Sequence, residues 1–350
     1  PRRVGRDTGN RDEARERVIG LQEGGVVSIS RQLRTPAIRY TLGLAATVAA
    51  IFAVVAALHP QFADLANVEV LAMSFVLEAF MALGMTAVIV SGGIDLSVSA
   101  VLPFAAIVTG LQLRAGVPVP IAIGVSLAAS AGVGALNATL TRAFRVHPFI
   151  ATLATMLSLK GVSLVITRGA PVAGFPKSFA FLGHGRIMGL PFSLVLFAVL
   201  AFAIGSVLAY HRYGQQVYLV GGNVRAARLS GVKVERVLMA VYMLSSALAG
   251  LAGVVAASQY VSASTGFGQN SELRVITAVA VGGASLNGGT GSIGGTVLGV
   301  LFLAIVYNAF AMSGVSTYWQ DVVSGVMVLA AVLLAQVAAR ERRARRRVVN

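Results

Sequence analysis

The chain has 350 residues, 56% of them apolar and 12% charged, with a mean hydropathy of +0.80, values that exclude an ordinary soluble domain. With no cysteine it holds no disulfide framework, thiolate metal site or cysteine nucleophile. The net charge of +15 would suit a nucleic-acid partner if the cations lined a groove, but they gather at the chain ends and in two loops, where a bilayer explains them better.

Residues 1–39 read as a basic cytoplasmic tail, with Arg2, Arg3, Arg6, Arg11, Arg15 and Arg17 resting on anionic headgroups. They contain no short apolar core before a small-residue cleavage site, so no secretory signal is expected. Ten apolar segments follow, at about 20 residues per helical span: 40–58, 69–91, 95–113, 117–140, 148–166, 190–210, 237–258, 272–287, 293–312 and 317–338. No ten-residue alternating strands suggest a barrel, so the predicted fold is all-α, a polytopic helical bundle over 40–338, closed by a second basic tail at 339–350. With both termini cytoplasmic, 22 of the 28 Lys and Arg fall on the inside. Arg114, Lys160, Arg168, Lys177, Arg186 and Arg274 are then left in outside loops or near helix ends, where long side chains can snorkel.

Polar interruptions mark where such a bundle does its work. In SGGIDLSVSA, residues 91–100, Asp95 is placed to cap the third span, with Ser97 and Ser99 in its first turns. An ionised Asp at a helix centre costs about 2.5 to 3.5 kcal/mol, so the alternative to capping is a polar translocation path. Glu78, Asn137 and Asp321 are further polar groups at depth, open to the same reading or to packing. The cytoplasmic loop between spans six and seven holds a self-contained short helix. Asn223 can cap it, Val224 to Ser230 make two turns, and Gly231 suits the left-handed position after its end. Arg225 and Arg228 share a face, and Ala226, Ala227 and Leu229 offer a small apolar surface, so this is either a docking knob or a plain connector. The glycine-rich GGASLNGGTGSIGG at 282–295, containing Asn287, repeats the GG-x-polar-Leu-polar outline of residues 92–97, as a duplicated transporter fold would.

Catalytic signatures fail. GAPVAGFPKS at 169–178 interposes Phe175 and Pro176 before its lysine, and GTGSIG at 289–294 follows a membrane helix rather than a strand. The four histidines lie in separate loops with no HExxH, so neither a catalytic residue nor a metal site is expected. The chain itself is therefore not expected to hydrolyse ATP, and a stand-alone secondary carrier coupled to ions through Asp95, Glu78 or Asp321 stays open.

Four long segments then carry a resemblance: GGIDLSVSAV at 92–101, HPFIATLATMLSLKGVSLVITRGAPV at 147–172, GGNVRAARLSGVKVERV at 221–237 and LRVITAVAVGGASLNGGTGSIGGTVLGV at 273–300. In this order the chain resembles the ribose-type (monosaccharide) permeases of ABC importers, with a departure at SVSA, 97–100, where that family often has a glycine. The resemblance implies a type II-like permease in a bacterial inner membrane, paired with an identical or related permease. It also implies a cytoplasmic ABC ATPase, which binds the ATP and Mg so that this chain needs no cofactor, and an extracytoplasmic sugar-binding protein. It puts the ATPase-coupling helix on Asn223, Arg225, Ala226, Ala227, Arg228, Leu229, Ser230 and Gly231. The path is expected near Glu78, Asp95, Ser97, Asn137 and Asn287, and Arg168, Lys177 and Arg186 are expected to meet carboxylates of the binding protein.

Overall fold

Small residues at close helix contacts set the centre of the molecule. In the computed structural model, which describes residues 39–316 and positions 318, 319, 322, 323, 325, 326 and 329, the helix α10 (Val234–Gln259) is packed by α2 (Leu65–Val90), α3 (Val98–Arg114) and α4 (Val119–Arg142). Close approach explains the position: Gly84 of α2 lies so near α10 that a methyl there would sit 2.6 Å from the Ser245 Cα. In hydrocarbon, where lipid tails are as apolar as leucine, such backbone proximity does the packing.

Around this centre run α1 (Arg39–Leu58), α5 (Pro148–Thr167), α7 (Phe192–Tyr210), α11 (Ser271–Val281) and α12 (Ile293–Met312). Among the described residues, seven helices are long and apolar enough to cross a membrane: α1, α2, α4, α5, α7, α10 and α12. The helix α3 is shorter, and the basic tails, the segment 317–338 with its scattered described positions, and Asp321 lie largely or wholly outside the described residues.

The predicted span 272–287 is corrected. Only Ser271–Val281 is helical, 11 residues or about 16 Å, and the chain ahead of it is irregular. Gly268 lies against Ser99 and Leu102 of α3, so residues 264–270 dip into the bundle rather than forming a surface loop. A coil followed by a half-helix therefore makes the crossing, an arrangement tolerated at depth only where protein or a watery cavity surrounds it. A sequence window averages the apolar run and cannot see the break.

The loop after α5 folds into a cap. Its strand β1 (Val172–Ala173) pairs antiparallel with β4 (Ser262–Ala263), while β2 (Arg186–Ile187) and β3 (Leu190–Pro191) form a small hairpin. A four-residue turn of helix, α6 (Phe181–His184), follows Phe179. The Ser258 hydroxyl donates to the Phe179 carbonyl at 2.6 Å and accepts from the Gly183 amide at 2.8 Å, which fastens this cap to the end of α10.

Candidate functional site

The knob between α7 and α10 forms as its local sequence dictates. The helix α8 (Arg212–Gly222) leads into α9 (Val224–Leu229), and the Asn223 carboxamide oxygen accepts the amides of Arg225 at 3.0 Å and Ala226 at 3.1 Å. At the other end Gly231 takes φ +79°, with Gly231 N donating to Arg228 O and Val232 N donating to Ala227 O, each at 3.0 Å. That pair of bonds is the Schellman stop, which needs a residue free to enter the left-handed region. Ser230 is the C-cap. Loss of the cap in Asn223→Ala costs about 1 kcal/mol, and hydrogen exchange at residues 224–229 is expected to accelerate about fivefold while α10 is unchanged.

The presented face differs from the one expected. Ala227 is buried among Val220, Val234, Val237 and Leu238, so it welds α9 to α8 and α10 and offers nothing to a partner. Two turns bury whichever side meets the neighbouring helices, and the sequence does not say which. Arg225, Ala226 and Arg228 are exposed, Leu229 is 91% exposed at the tip, and Arg228 pairs with Glu235 at 2.6 Å.

Directly behind the knob, three backbones converge. The helices α2 and α11 end alike. Ser91, Gly92 and Gly93 donate to Ala87, Ile89 and Val88, and Gly282, Gly283 and Ala284 donate to Ala278, Ala280 and Val279 in the same offsets, with Gly92 at φ +83° and Gly283 at φ +89°. The repeat glimpsed in the sequence is thus a repeated helix ending, shifted by one residue from the literal GG match. The two endings meet where Gly289 N donates to Val90 O at 2.8 Å. Gly221, at the end of α8, fits against both, since a methyl there would lie 2.7 Å from Gly289 N and closer still to Val90 O. The Tyr218 hydroxyl donates to Gly291 O at 2.8 Å, and burial pushes its ionisation up, which keeps the donor proton in place.

The expected path residues fall into three separate places. Asp95 is fully buried; it does not cap α3, whose N-cap is Ser97. Asp95 Oδ1 accepts from Ser97 N at 3.1 Å and Ser97 Oγ at 2.5 Å, and Oδ2 accepts from Ser245 Oγ at 3.0 Å. Asn137 extends the cluster, donating to Ser97 Oγ at 2.8 Å and accepting from Thr155 Oγ1 at 2.7 Å. Glu78 stands apart, paired with Arg274 Nε at 2.6 Å, so Arg274 is no snorkelling outside cation. Asn287 is exposed on the turn between α11 and α12, with its amide donating to Ser285 Oγ at 3.3 Å. Of the outer cations, Arg168 and Lys177 are exposed, while Arg186 is engaged by Glu69 and by the Gly189 carbonyl at 3.0 Å. Glu272, and the pairing of the expected Glu78 with Arg274, are what sequence reasoning missed; an Arg near a predicted helix end was the available signal.

A polytopic bundle with discontinuous helices and a rigid projecting knob is the architecture of a transport permease. Residues 67–332 match the family described as "Branched-chain amino acid transport system / permease component", and the chain belongs to that family. It is the membrane subunit of an ABC importer, a multi-pass transporter component and not an enzyme. The chain is 38% identical to "Ribose import permease protein RbsC" of Escherichia coli (strain K12) over 292 residues, covering 81% of this chain and 90% of that protein. It is also 38% identical to the protein of the same name from Bacillus subtilis (strain 168) over 284 residues, 80% and 88% of the two chains. It is 32% identical to "Autoinducer 2 import system permease protein LsrD" of Escherichia coli O9:H4 (strain HS) over 304 residues, 85% and 92%. No solved structure matches the chain.

Proposed function

We propose that this permease imports a monosaccharide or closely related small polar sugar, driven by a separate cytoplasmic ATPase that docks on α9. The relatives favour a sugar over the amino acids of the family description, because those at 38% and 32% identity are named for ribose and autoinducer 2. The positive-inside distribution supports cytoplasmic termini in a bacterial inner membrane. The permease works as a pair, with itself or with a related chain, and ATP and Mg are bound by the ATPase. An extracytoplasmic binding protein delivers the solute to the outer cap, where Arg168 and Lys177 are exposed cations and Arg186 lends its charge while held by Glu69.

The observation that carries this reading is the knob: an independently capped helix, welded by Ala227 and tipped by Leu229 at 91% exposure. An apolar side chain held on a rigid cytoplasmic projection suits a cleft in a partner. Closure of the ATPase moves α9 as a rigid body, and the motion passes to α8 and α10 and, through Gly221, to the ends of α2 and α11. Leu229→Asp is expected to weaken ATPase co-purification at least tenfold and to reduce ribose uptake equally, with the permease still inserted. Undiminished association would overturn the docking assignment. Sustained uptake without any ATPase would overturn the importer reading in favour of an ion-coupled carrier.

A further inference from the structure

The break ahead of α11 lies deep in the bundle. Glu78 is the fourteenth of the 26 residues of α2, so it sits about 20 Å from either end at 1.5 Å per residue. Its partner Arg274 also donates to the Gln269 carbonyl at 3.2 Å, which fixes the turn at the same depth. Yet Gln269 and Asn270 are exposed. Amide side chains facing hydrocarbon are expensive, so exposure at this depth implies water, a solute or protein in front of them.

A second observation points to a ligand. Glu272, the second residue of α11, is 9% exposed, and its Oε2 has no hydrogen-bond partner among the described residues. Helical side chains lean toward their own N-terminus, which directs this carboxylate over the break. A buried carboxyl oxygen calls for a hydrogen-bond partner, and the described residues do not supply one to Oε2. A sugar hydroxyl donates to such an oxygen while accepting from a neighbouring amide.

We propose that this ledge, Gln269 and Asn270 with Glu272 behind them and the Glu78–Arg274 pair beside them, is where the permease contacts the hydroxyls of its solute at mid-membrane. The inference rests on the sugar-importer reading above. It adds Glu272, Gln269 and Asn270 to the path and sets the Asp95 cluster aside as structure.

The cysteine-free chain makes the test direct. In proteoliposomes containing the full transporter, Gln269→Cys and Asn270→Cys are expected to react with a water-soluble methanethiosulfonate at least tenfold faster than Phe202→Cys. Phe202 lies midway along α7 and is 79% exposed among apolar neighbours of that helix. Glu272→Gln is expected to lower ribose uptake at least tenfold while ATP hydrolysis stimulated by loaded binding protein stays within twofold, and Glu272→Asp is expected to restore part of the uptake. Cysteine reactivity no faster than at Phe202, with or without ATP, would mean that lipid or the second permease covers the ledge and would overturn the proposal. So would unchanged uptake in Glu272→Gln, or loss of uptake and stimulated hydrolysis together, which is the mark of a merely structural residue. If the wild-type transporter moves no sugar, the importer reading fails instead, and the cysteine reactivities still decide whether the ledge is wet.

Discussion

Gly221→Ala is expected to reduce uptake at least tenfold, whereas Gly222→Ala, one residue on, leaves it within twofold of wild type. A methyl at Gly222 meets nothing within 4 Å. The same methyl at Gly221 collides with the Val90 carbonyl oxygen and comes 2.7 Å from Gly289 N, two atoms already joined by a 2.8 Å hydrogen bond. Neither neighbour is the yielding end of a flexible side chain. Relief requires α8 to move off the two helix endings, and overpacking of this kind costs about 1–3 kcal/mol. If the junction opens, Val90 O and Gly289 N lose each other as well, at about 1–3 kcal/mol for a buried group left without a partner. Because α9 stays capped and exposed, ATPase association is expected to survive in Gly221→Ala. Uptake in proteoliposomes, set beside co-purification of the ATPase, separates the two effects. Equal uptake in both alanine variants would show that motion does not pass through this contact.

The difference between these two glycines marks the boundary of what sequence could reveal. The knob was legible because its determinants are local: Asn223 bonds to amides two and three residues ahead, and Gly231 ends the helix through its own φ. The apolar helices were legible for the same reason, since length and composition suffice for a span. Ala227 was misread because its burial depends on α10, and Arg274 because its partner Glu78 lies 196 residues away. Two neighbouring glycines look identical in a sequence, and only the meeting of α2, α8 and the turn after α11 tells them apart. The half-helix α11 was hidden for a different reason: an apolar run reads the same whether it is helical throughout or broken.

Asp95→Ala is expected to lower stability by about 3 kcal/mol or more, read as faster thermal inactivation of the detergent-purified permease, while Asp95→Asn retains most stability and uptake. The carboxylate accepts three hydrogen bonds, from Ser97 N, Ser97 Oγ and Ser245 Oγ, and through Ser97 it holds Asn137 and Thr155. The cluster ties the start of α3 to α4, α5 and α10 where no water reaches, since Asp95, Ser97, Asn137 and Ser245 are each 0% exposed. Alanine leaves these donors without an acceptor at about 1–3 kcal/mol for each group that finds no new partner. Asparagine keeps the shape and one oxygen for the Ser97 pair, and its amide can donate to Ser245 Oγ, whose hydroxyl is able to turn and accept. The order of the two variants also decides between the functional readings. A carboxylate that carried protons for an ion-coupled carrier would fail as completely in Asp95→Asn as in Asp95→Ala, because neither side chain titrates. A network that only fastens four helices separates the two, and ribose uptake by the asparagine variant should then continue when the proton gradient is collapsed and ATP is present.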